Sequence, residues 1–486
     1  MSSERVLVRR GLYADSVTLL QVSRQVGQAP GVQAAMVGMA TELNLELLAG
    51  MGFDAPGDGS PYELFIAVRA SDPQAVEAAA GLAEQLLSAP RRASGGAVAE
   101  QPPRTTGSAV AATGAGLALI SVPGRHAFAE AMDALDAGCD VLIFSDNVSV
   151  DDEIRLKNTA AERGLLVMGP DCGTAVVGGL GLGFSHTVDR GPVGLVAASG
   201  TGAQQLLCLL DAAGVGVSAA LGVGGRDLSE PVAGRSTLAA LAALDTDPGT
   251  ELILVVSKPP AEPVADRIRA AAADLATPVS FALLGAGQPD LTQAAEAVLA
   301  ELGVPVPDWP RWGADRPPAA RAGALRGLFC GGTLCDEAML VASAELGEVR
   351  SNIPLRPDWA LDATLRWSGH LMIDFGDDAL TQGRAHPMID PSLRNQRLAD
   401  ELADPGAAVV LLDVLLGHGS HPDPVGELVP LLAGAQVPVV VSLIGARRDP
   451  QQLEASARRL ADAGAVVFAS NAAATRYALS LIGGRA

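Results

Sequence analysis

Two turns in this chain place small residues and hydroxyl groups where a helix is predicted to begin. Each turn follows a short apolar run, Val193–Ala197 in the first case and Gly327–Cys330 in the second. The first N–H groups of a helix have no partner within it, and the helix dipole favours negative charge there. The two turns therefore predict sites for phosphate or carboxylate, and together they could hold one anion. Their residues are Ser199, Gly200, Thr201, Gly202, Gly331, Gly332 and Thr333.

The hydroxyls of Ser199 and Thr201 are also candidate catalytic groups. The alternative is that both residues are ordinary N-caps of a buried helix. A further glycine-rich turn, with Gly224 and Gly225, follows the next predicted strand and is a candidate part of the binding site. Asp374 begins an acidic cluster at a later strand end, where carboxylates could hold Mg²⁺; solvated or turn-capping aspartates are the alternative.

Histidine is rare in the chain, which has six. His386 shares one loop-to-helix stretch with Arg394, a candidate substrate ligand, and His421 follows a predicted strand. Either imidazole is a candidate general acid or base. For His421 the alternative is hydrogen bonding within its loop. Cys172 invites interpretation as a nucleophile, but no partner is evident, and a packed, inert thiol is the favoured alternative.

Strand and helix patterns alternate from about residue 116 onward, which predicts α/β units with doubly wound parallel sheets. A small α+β unit precedes them, and proline-rich and glycine-rich linkers are expected at 88–107 and 304–320. We predict domains at 1–95, 108–190, 191–303 and 321–486. The high apolar content (49%) and low aromatic content (3%) fit parallel strands buried on both faces.

The net charge of −21 disfavours nucleic acid and anionic membranes as partners. We find no signal peptide at the beginning of the sequence and no apolar run of about 20 residues. The five cysteines are unclustered, with no spacing typical of a zinc site or a disulfide framework. These features predict a cytoplasmic protein without a structural metal.

The layout resembles succinyl-CoA synthetase with its α and β subunits joined, and more closely the FdrA family. The matching segments are 169–174, 198–202, 386–390 and 421–424. The resemblance implies a CoA-binding Rossmann-like domain, two flavodoxin-like ligase domains, a homo-oligomer and partner subunits. It also implies that CoA, if retained, binds at Gly124, Arg125, His126 and Ser145. FdrA proteins are associated with oxamate carbamoyltransferase in purine and allantoin degradation.

One departure from the synthetases bears on mechanism. The segment 283–290 has no histidine where the synthetases carry a phosphorylated one, and the first 95 residues are too short for an ATP-grasp domain. We therefore predict transfer of an acyl or carbamoyl group to or from phosphate, with carbamoyl phosphate and oxamate as substrates. The alternatives are an ADP-forming acyl-CoA synthetase and a noncatalytic metabolite-binding scaffold. CoA and Mg²⁺ are candidate cofactors.

Overall fold

The computed structural model describes residues 3–10, 12, 14, 16–54, 63–88, 103–314, 318–381 and 384–483. The chain forms two compact units, and the boundary between them lies between Pro102 and Pro103. Among the described residues, no helix combines the length and the apolar character needed to cross a bilayer.

The N-terminal unit is a three-stranded antiparallel sheet with β3 at its centre. Its strands are β1 (Ser3–Arg9), β2 (Val32–Met39) and β3 (Leu64–Ala70). Its helices are α1 (Ser16–Gly27), α2 (Glu42–Gly50) and α3 (Pro73–Ser88). One face of β3 packs with α1 and α3 and the other with α2, so residues 64–68 are all apolar and buried. We did not predict β2 or α2, and Tyr62, predicted to begin β3, lies outside the described residues.

The second unit begins with a parallel sheet of three short strands, ordered β4-β5-β6. Its elements are α4 (Thr106–Thr113), β4 (Leu117–Ile120), α5 (Gly124–Asp136), β5 (Asp140–Ile143), α6 (Val150–Arg163) and β6 (Val167–Met168). The linker predicted at 88–107 is wrong at both ends, because α3 includes Ser88 and α4 begins at Thr106. Thr105 caps α4 by accepting the N–H of Ser108 at 3.2 Å.

The next sheet has six strands in the order β12-β11-β9-β10-β7-β8. Its strands are β7 (Thr174–Val177), β8 (Leu180–Gly183), β9 (Arg190–Ala198), β10 (Val217–Gly222), β11 (Leu252–Ser257) and β12 (Val279–Leu283). Its helices are α7 (Gly200–Ala212), α8 (Arg235–Asp245), α9 (Glu262–Ala273) and α10 (Leu291–Glu301). The four strands from β9 onward are parallel. The hairpin β7-β8, which we did not predict, joins β10 in antiparallel fashion.

The last sheet has seven strands in the order β13-β19-β18-β17-β14-β16-β15. Its strands are β13 (Arg311–Trp312), β14 (Ala324–Phe329), β15 (Arg350–Ser351), β16 (Leu371–Asp374), β17 (Ala407–Leu415), β18 (Val439–Ile444) and β19 (Val466–Phe468). Its helices are α11 (Gly332–Leu346), α12 (Asp378–Thr381), α13 (Ser392–Ala403), α14 (Pro424–Leu432), α15 (Leu453–Asp462) and α16 (Asn471–Ser480). Within the linker predicted at 304–320, β13 pairs antiparallel with β19; Pro317 lies outside the described residues.

The α/β prediction with parallel sheets and a small N-terminal α+β unit is confirmed. In both large sheets the strand before the predicted turn, β9 or β14, has strands from later in the chain on either side. The chain thus reverses its winding direction beside β9 and β14, and ligands of such sheets bind at the carboxyl ends of those strands. One apolar core, containing residues of α7, α10, α11 and α16, joins the two sheets. α7 is buried along almost its whole length, and its polar side chains Gln204, Gln205 and Asp211 form hydrogen bonds inside the protein.

Candidate functional site

The two predicted turns meet. The Ser199 hydroxyl, at the N-cap of α7, lies 2.7 Å from the Thr333 hydroxyl in the first turn of α11. Glycine permits this approach, since a Cβ on Gly331 would lie 2.8 to 2.9 Å from the side chain of Thr201. A Cβ on Gly202 would lie 3.1 Å from Thr333 Cγ2. The glycines in both turns therefore allow the two helix N-termini to touch.

Some of the predicted N–H donors already have acceptors. The Gly202 N–H donates to Ser199 Oγ at 3.0 Å. The N–H groups of Cys330 and Gly331 donate at 2.7 and 2.9 Å to the carboxylate of Asp413, near the end of β17. We expected Gly202 and Gly331 to donate to a ligand; instead, their N–H groups hold the turns in shape.

Other N–H groups at the two helix starts remain available. Among the described residues, none accepts a hydrogen bond from these groups, which belong to Gly200, Thr201, Gly332, Thr333 and Leu334. They come from the first turns of both helices, which the Ser199–Thr333 hydrogen bond joins. The joined turns therefore present two sets of donors suited to an oxyanion.

Lys258 lies beside these donors and was missed from the sequence. It follows β11, and its Nζ lies 2.9 Å from the position that a Cβ on Gly332 would take. Within the described chain, no residue forms a hydrogen bond or ion pair with Nζ. Burial lowers the pKa of Lys258, but the charges of Asp336, Asp374 and Asp171 together with Cys335 outweigh burial and raise that pKa. Lys258 therefore carries a positive charge beside the N-terminus of α11.

A sequence signal for Lys258 exists in the composition. Only two of the 34 lysine and arginine residues are lysines, Lys157 and Lys258. Lys157 is buried and forms ion pairs of 2.7 Å with both Glu153 and Asp227. The rest of the chain uses arginine for positive charge, whereas both lysines lie among interior carboxylates.

Asp374 faces the same glycine as Lys258. Its Oδ2 lies 2.8 Å from the same Cβ position on Gly332, and its Oδ1 accepts the N–H of Gly376 at 2.9 Å. Burial raises the pKa of Asp374 to about 7, against the opposing influence of Lys258. Burial also raises the pKa of Asp336 to about 6, again opposed by Lys258. The site thus combines one fixed cation with carboxyl groups that change protonation near neutral pH.

His386 approaches the same region. Its Nδ1 accepts the N–H of Met388 at 3.2 Å, which leaves the proton of the neutral ring on Nε2. Burial lowers the pKa of His386 to about 4, so the ring is neutral at pH 7. A Cβ on Gly376 would lie 2.8 Å from His386 Nε2 and 3.1 Å from Asp374 Oδ1.

His421 and Arg394 have contacts that differ from the predicted ones. His421 is buried, its Nδ1 accepts the N–H of Asp423 at 3.1 Å, and its Nε2 lies 2.9 Å from Glu427 Oε1. These contacts fit the alternative of hydrogen bonding within the loop. Arg394 is also buried and donates at 2.6 Å to the backbone carbonyl of Asp413. We expected Arg394 to contact substrate; instead it supports the residue that holds the turn before α11.

Gly224 and Gly225 lie in the turn after β10. Gly224 has a φ of +92°, and a Cβ there would lie 2.4 Å from the carbonyl oxygen of Pro170. Its role is therefore close packing against a neighbouring turn. Gly225 faces Asp171, whose Oδ2 would lie 3.6 Å from a Cβ at that position.

The residues predicted to bind CoA cluster around the start of α5. A Cβ on Gly124 would lie 2.2 Å from the carbonyl oxygen of Asp146, so glycine is required there. The Ser145 hydroxyl donates at 2.5 Å to the carbonyl of Val122, and this bond occupies the hydroxyl proton. Arg125 Nε lies 3.1 Å from His126 Nε2 in an exposed pair. Arg125 and His126 thus remain accessible, whereas Ser145 is engaged in the fold.

Cys172 and the acidic residues that the structure describes are not placed for covalent or metal chemistry. Cys172 is buried, and burial raises the pKa of its thiol to about 12, which fits a packed, inert side chain. Within the described ranges, no group of three or more His, Cys, Asp or Glu side chains is placed to hold a metal ion.

Comparisons with known proteins give the family. The uncharacterized protein YahF of Escherichia coli (strain K12) is 37% identical over 501 residues, covering 96% of each chain. This chain belongs to the YahF family. Two family models also match: CoA-ligase over residues 328–481, and the AllF heavy metal-associated domain over residues 1–103.

More distant relatives of this YahF-family chain include subunits of CoA ligases. The alpha subunit of succinate–CoA ligase [ADP-forming] of Aquifex aeolicus (strain VF5) is 31% identical over 160 residues, 32% of this chain. The match spans about half of that subunit, 51% of its length. The crystal structure of PH0766 from Pyrococcus horikoshii OT3 aligns over 76% of this chain and 85% of its own, with 15% identity and a TM-score of 0.28.

The N-terminal residues do not fit the heavy metal in the name of the matched model. Residues 1–103 contain neither cysteine nor histidine, the side chains that soft metals prefer. Met36 and Met39 pack in clusters on opposite faces of the sheet, so their sulfurs do not converge. The described residues of this unit therefore offer no thiolate or imidazole ligand for a soft metal.

Proposed function

We propose that this chain transfers an acyl or carbamoyl group to or from phosphate at the joined N-termini of α7 and α11. The observation that carries the proposal is the 2.7 Å contact between the hydroxyls of Ser199 and Thr333, which makes one site of two helix ends. Lys258 supports it, because an unpaired cation at a helix N-terminus favours a phosphate or carboxylate ligand.

Carbamoyl phosphate and oxamate are the substrates that the FdrA resemblance suggests. In the phosphorolytic direction, a phosphate oxygen attacks the carbamoyl carbon of carbamoyl-oxamate, a C–O bond forms and the C–N bond breaks. The attacking phosphate and the carbonyl oxygen that becomes negative both need donors. The free N–H groups of Gly332 and Thr333 on one side and of Gly200 and Thr201 on the other would divide these tasks.

A second candidate is an ADP-forming acyl-CoA ligase, favoured by the CoA-ligase match over residues 328–481 and by the ligase alpha subunits. In that case CoA would bind near Arg125 and His126. The segment 283–290 has no histidine to carry a phosphoryl group. Two of its residues, Gly287 and Gln288, line a cavity of about 420 Å³. The missing histidine favours the first proposal over the second.

We further propose the domain division 1–95, 108–190, 191–303 and 321–486, with a cytoplasmic homo-oligomer that works with partner subunits. The deciding experiment measures phosphate-dependent breakdown of carbamoyl-oxamate by the full chain, alone and with candidate partners. We expect turnover that Lys258→Met abolishes and that Arg356→Met, an exposed control, leaves unchanged. No turnover in any combination would contradict the proposal.

Two further measurements separate the alternatives. Calorimetric titration with CoA and with ATP tests the ligase, since that reaction needs both ligands, and absence of binding to either excludes it. Thr201→Val with Thr333→Val tests the part of the two hydroxyls, since the backbone N–H donors remain. An assembly that keeps full activity both in this variant and in Lys258→Met would favour a noncatalytic scaffold.

A further inference from the structure

Asp374 has a free carboxylate oxygen in the proposed site. Its side chain is buried, with 4% of the residue exposed, and Oδ1 is held by the N–H of Gly376. Among the described residues, none donates a hydrogen bond to Oδ2. That oxygen faces Gly332 from 2.8 Å, next to Lys258 Nζ at 2.9 Å, both measured to a Cβ built on Gly332.

The backbone around Asp374 fixes this orientation. The Asn352 side chain forms two hydrogen bonds with the backbone of Asp374. It accepts the Asp374 N–H at 2.9 Å and donates to the Asp374 carbonyl at 2.8 Å. The carboxylate is thus held rigidly with one oxygen bound and the other directed at the start of α11.

An oxyanion bound there meets a conflict. Lys258 Nζ and Asp374 Oδ2 lie 2.9 and 2.8 Å from the same point, the Cβ position on Gly332, so an oxygen that Nζ binds on that side approaches Oδ2. Two acceptor oxygens cannot remain in contact while both are negative and unprotonated, because each needs a donor. A proton on Asp374 turns the repulsion into an O–H···O⁻ hydrogen bond, which is short and strong.

We propose that Asp374 binds a proton when an oxyanion occupies the site and acts as the general acid–base of the reaction. This inference rests on the proposed function for its chemical step, but not for the coupling of proton and anion. In phosphorolysis this proton is the one that the hydrogen phosphate brings: as the phosphate oxygen forms the C–O bond, Asp374 takes the proton from the phosphate and passes it to the nitrogen that leaves as the C–N bond breaks. The proton is returned, so the step consumes no other reactant.

Several groups around Asp374 influence this proton. Lys258 after β11 opposes its binding, whereas Asp336 on α11 and Asp413 on β17 favour it. His386 faces the Gly376 side of the carboxylate and is neutral, so it adds no charge. With burial, these influences bring the pKa of Asp374 to about 7.

Sulfate is a suitable probe, because it remains a dianion from pH 5 to 9 while phosphate titrates in that range. We would measure sulfate binding to the full chain by calorimetry at pH 6.5 and 8.5. With one proton taken up per anion and a pKa of about 7, the affinity should fall about 25-fold between these pH values. Asp374→Asn should bind sulfate with little pH dependence and more tightly than the wild type at pH 8.5.

Asp358→Asn is the matched control, since it removes one exposed negative charge from the same unit and should keep the wild-type pH dependence. Equal sulfate affinity at both pH values in the wild type, no binding in either protein, or the same slope in Asp374→Asn would each overturn the proposal. Turnover is a separate readout: Asp374→Asn should lower kcat by about 10² to 10⁴-fold. Proton-coupled sulfate binding without any turnover would refute the proposed function and leave the coupling standing.

Discussion

The turns after β9 and β14 repeat one sequence pattern, but the protein holds them in different ways. Ser199 caps α7 from within its own turn, at 3.0 Å from the Gly202 N–H. The turn before α11 has no side-chain cap of its own and is held by Asp413 on the neighbouring strand β17. A similar local sequence therefore reaches a similar shape through one local and one long-range contact.

The two turns also differ in charge. Lys258 and Asp374 both face Gly332 in the second turn, and each reaches it from a strand end outside the repeated pattern. The repeat supplies the backbone donors, and the neighbouring strands supply the charges that distinguish the two halves. This comparison implies that the second turn depends on remote residues far more than the first does.

Asp413→Ala should give the largest effect. The change leaves the N–H groups of Cys330 and Gly331 without acceptors and removes an anion from beside buried Arg394, 3.9 Å away. Breaking such a buried pair costs about 3 to 5 kcal/mol. Urea unfolding measures the loss, with exposed Asp358→Ala as the control. A loss below about 1 kcal/mol would mean that the second turn is held locally after all.

Asp374→Asn should raise stability at pH 8. The pKa of the carboxyl is about 7 in the folded protein against 3.8 as the ordinary value, so the folded state holds the proton more tightly. Wild-type stability should then fall as pH rises from about 4 to about 7. The variant lacks this loss, and we expect it to exceed the wild type by up to about 4 kcal/mol at pH 8. Urea unfolding at pH 4.5 and pH 8 checks this, and a gap that does not grow with pH would contradict it.

Lys258→Met should weaken sulfate binding by about 10 to 100-fold, the usual worth of a charged hydrogen bond. Methionine keeps much of the volume and the apolar stem, so the fold should persist. Calorimetry at pH 6.5 measures the change, with Arg356→Met as an exposed control that also removes one positive charge. If Lys258→Met and Arg356→Met bind sulfate equally well, Lys258 has only a structural role. The difference in charge between the two turns would then not affect anion binding.

The sequence predicts the strand–turn–helix units well because apolar strands and glycine turns are local signals. It also predicts that the two turns carry related chemistry. It does not reveal Asp413 as the cap of Gly331, because the two residues are 82 positions apart. The roles of Lys258 and Asp374 likewise depend on strands that the topology brings side by side.

Histidines were the weakest guide. The rarity of histidine in the sequence favoured a chemical role for His421, yet its ring contacts Asp423 in its own loop and Glu427 at the start of α14. The rarity of lysine was the more useful signal, since both lysines lie among carboxylates. The hairpin β7-β8 was missed because its two strands, each of four residues, are too short for a clear alternating pattern.

Ser199→Ala should give the smallest effect and isolate the contact between the turns. The variant loses the helix cap and the hydrogen bond to Thr333. Ser149→Ala is a matched control, because Ser149 caps α6 in the same way, accepting the Asp152 N–H at 3.1 Å. Loss of a cap costs about 1 kcal/mol, and a hydrogen bond about 1 kcal/mol more. Urea unfolding should therefore show Ser199→Ala to be less stable than Ser149→Ala by about 1 kcal/mol; equal losses would mean that the two turns touch without stabilising each other.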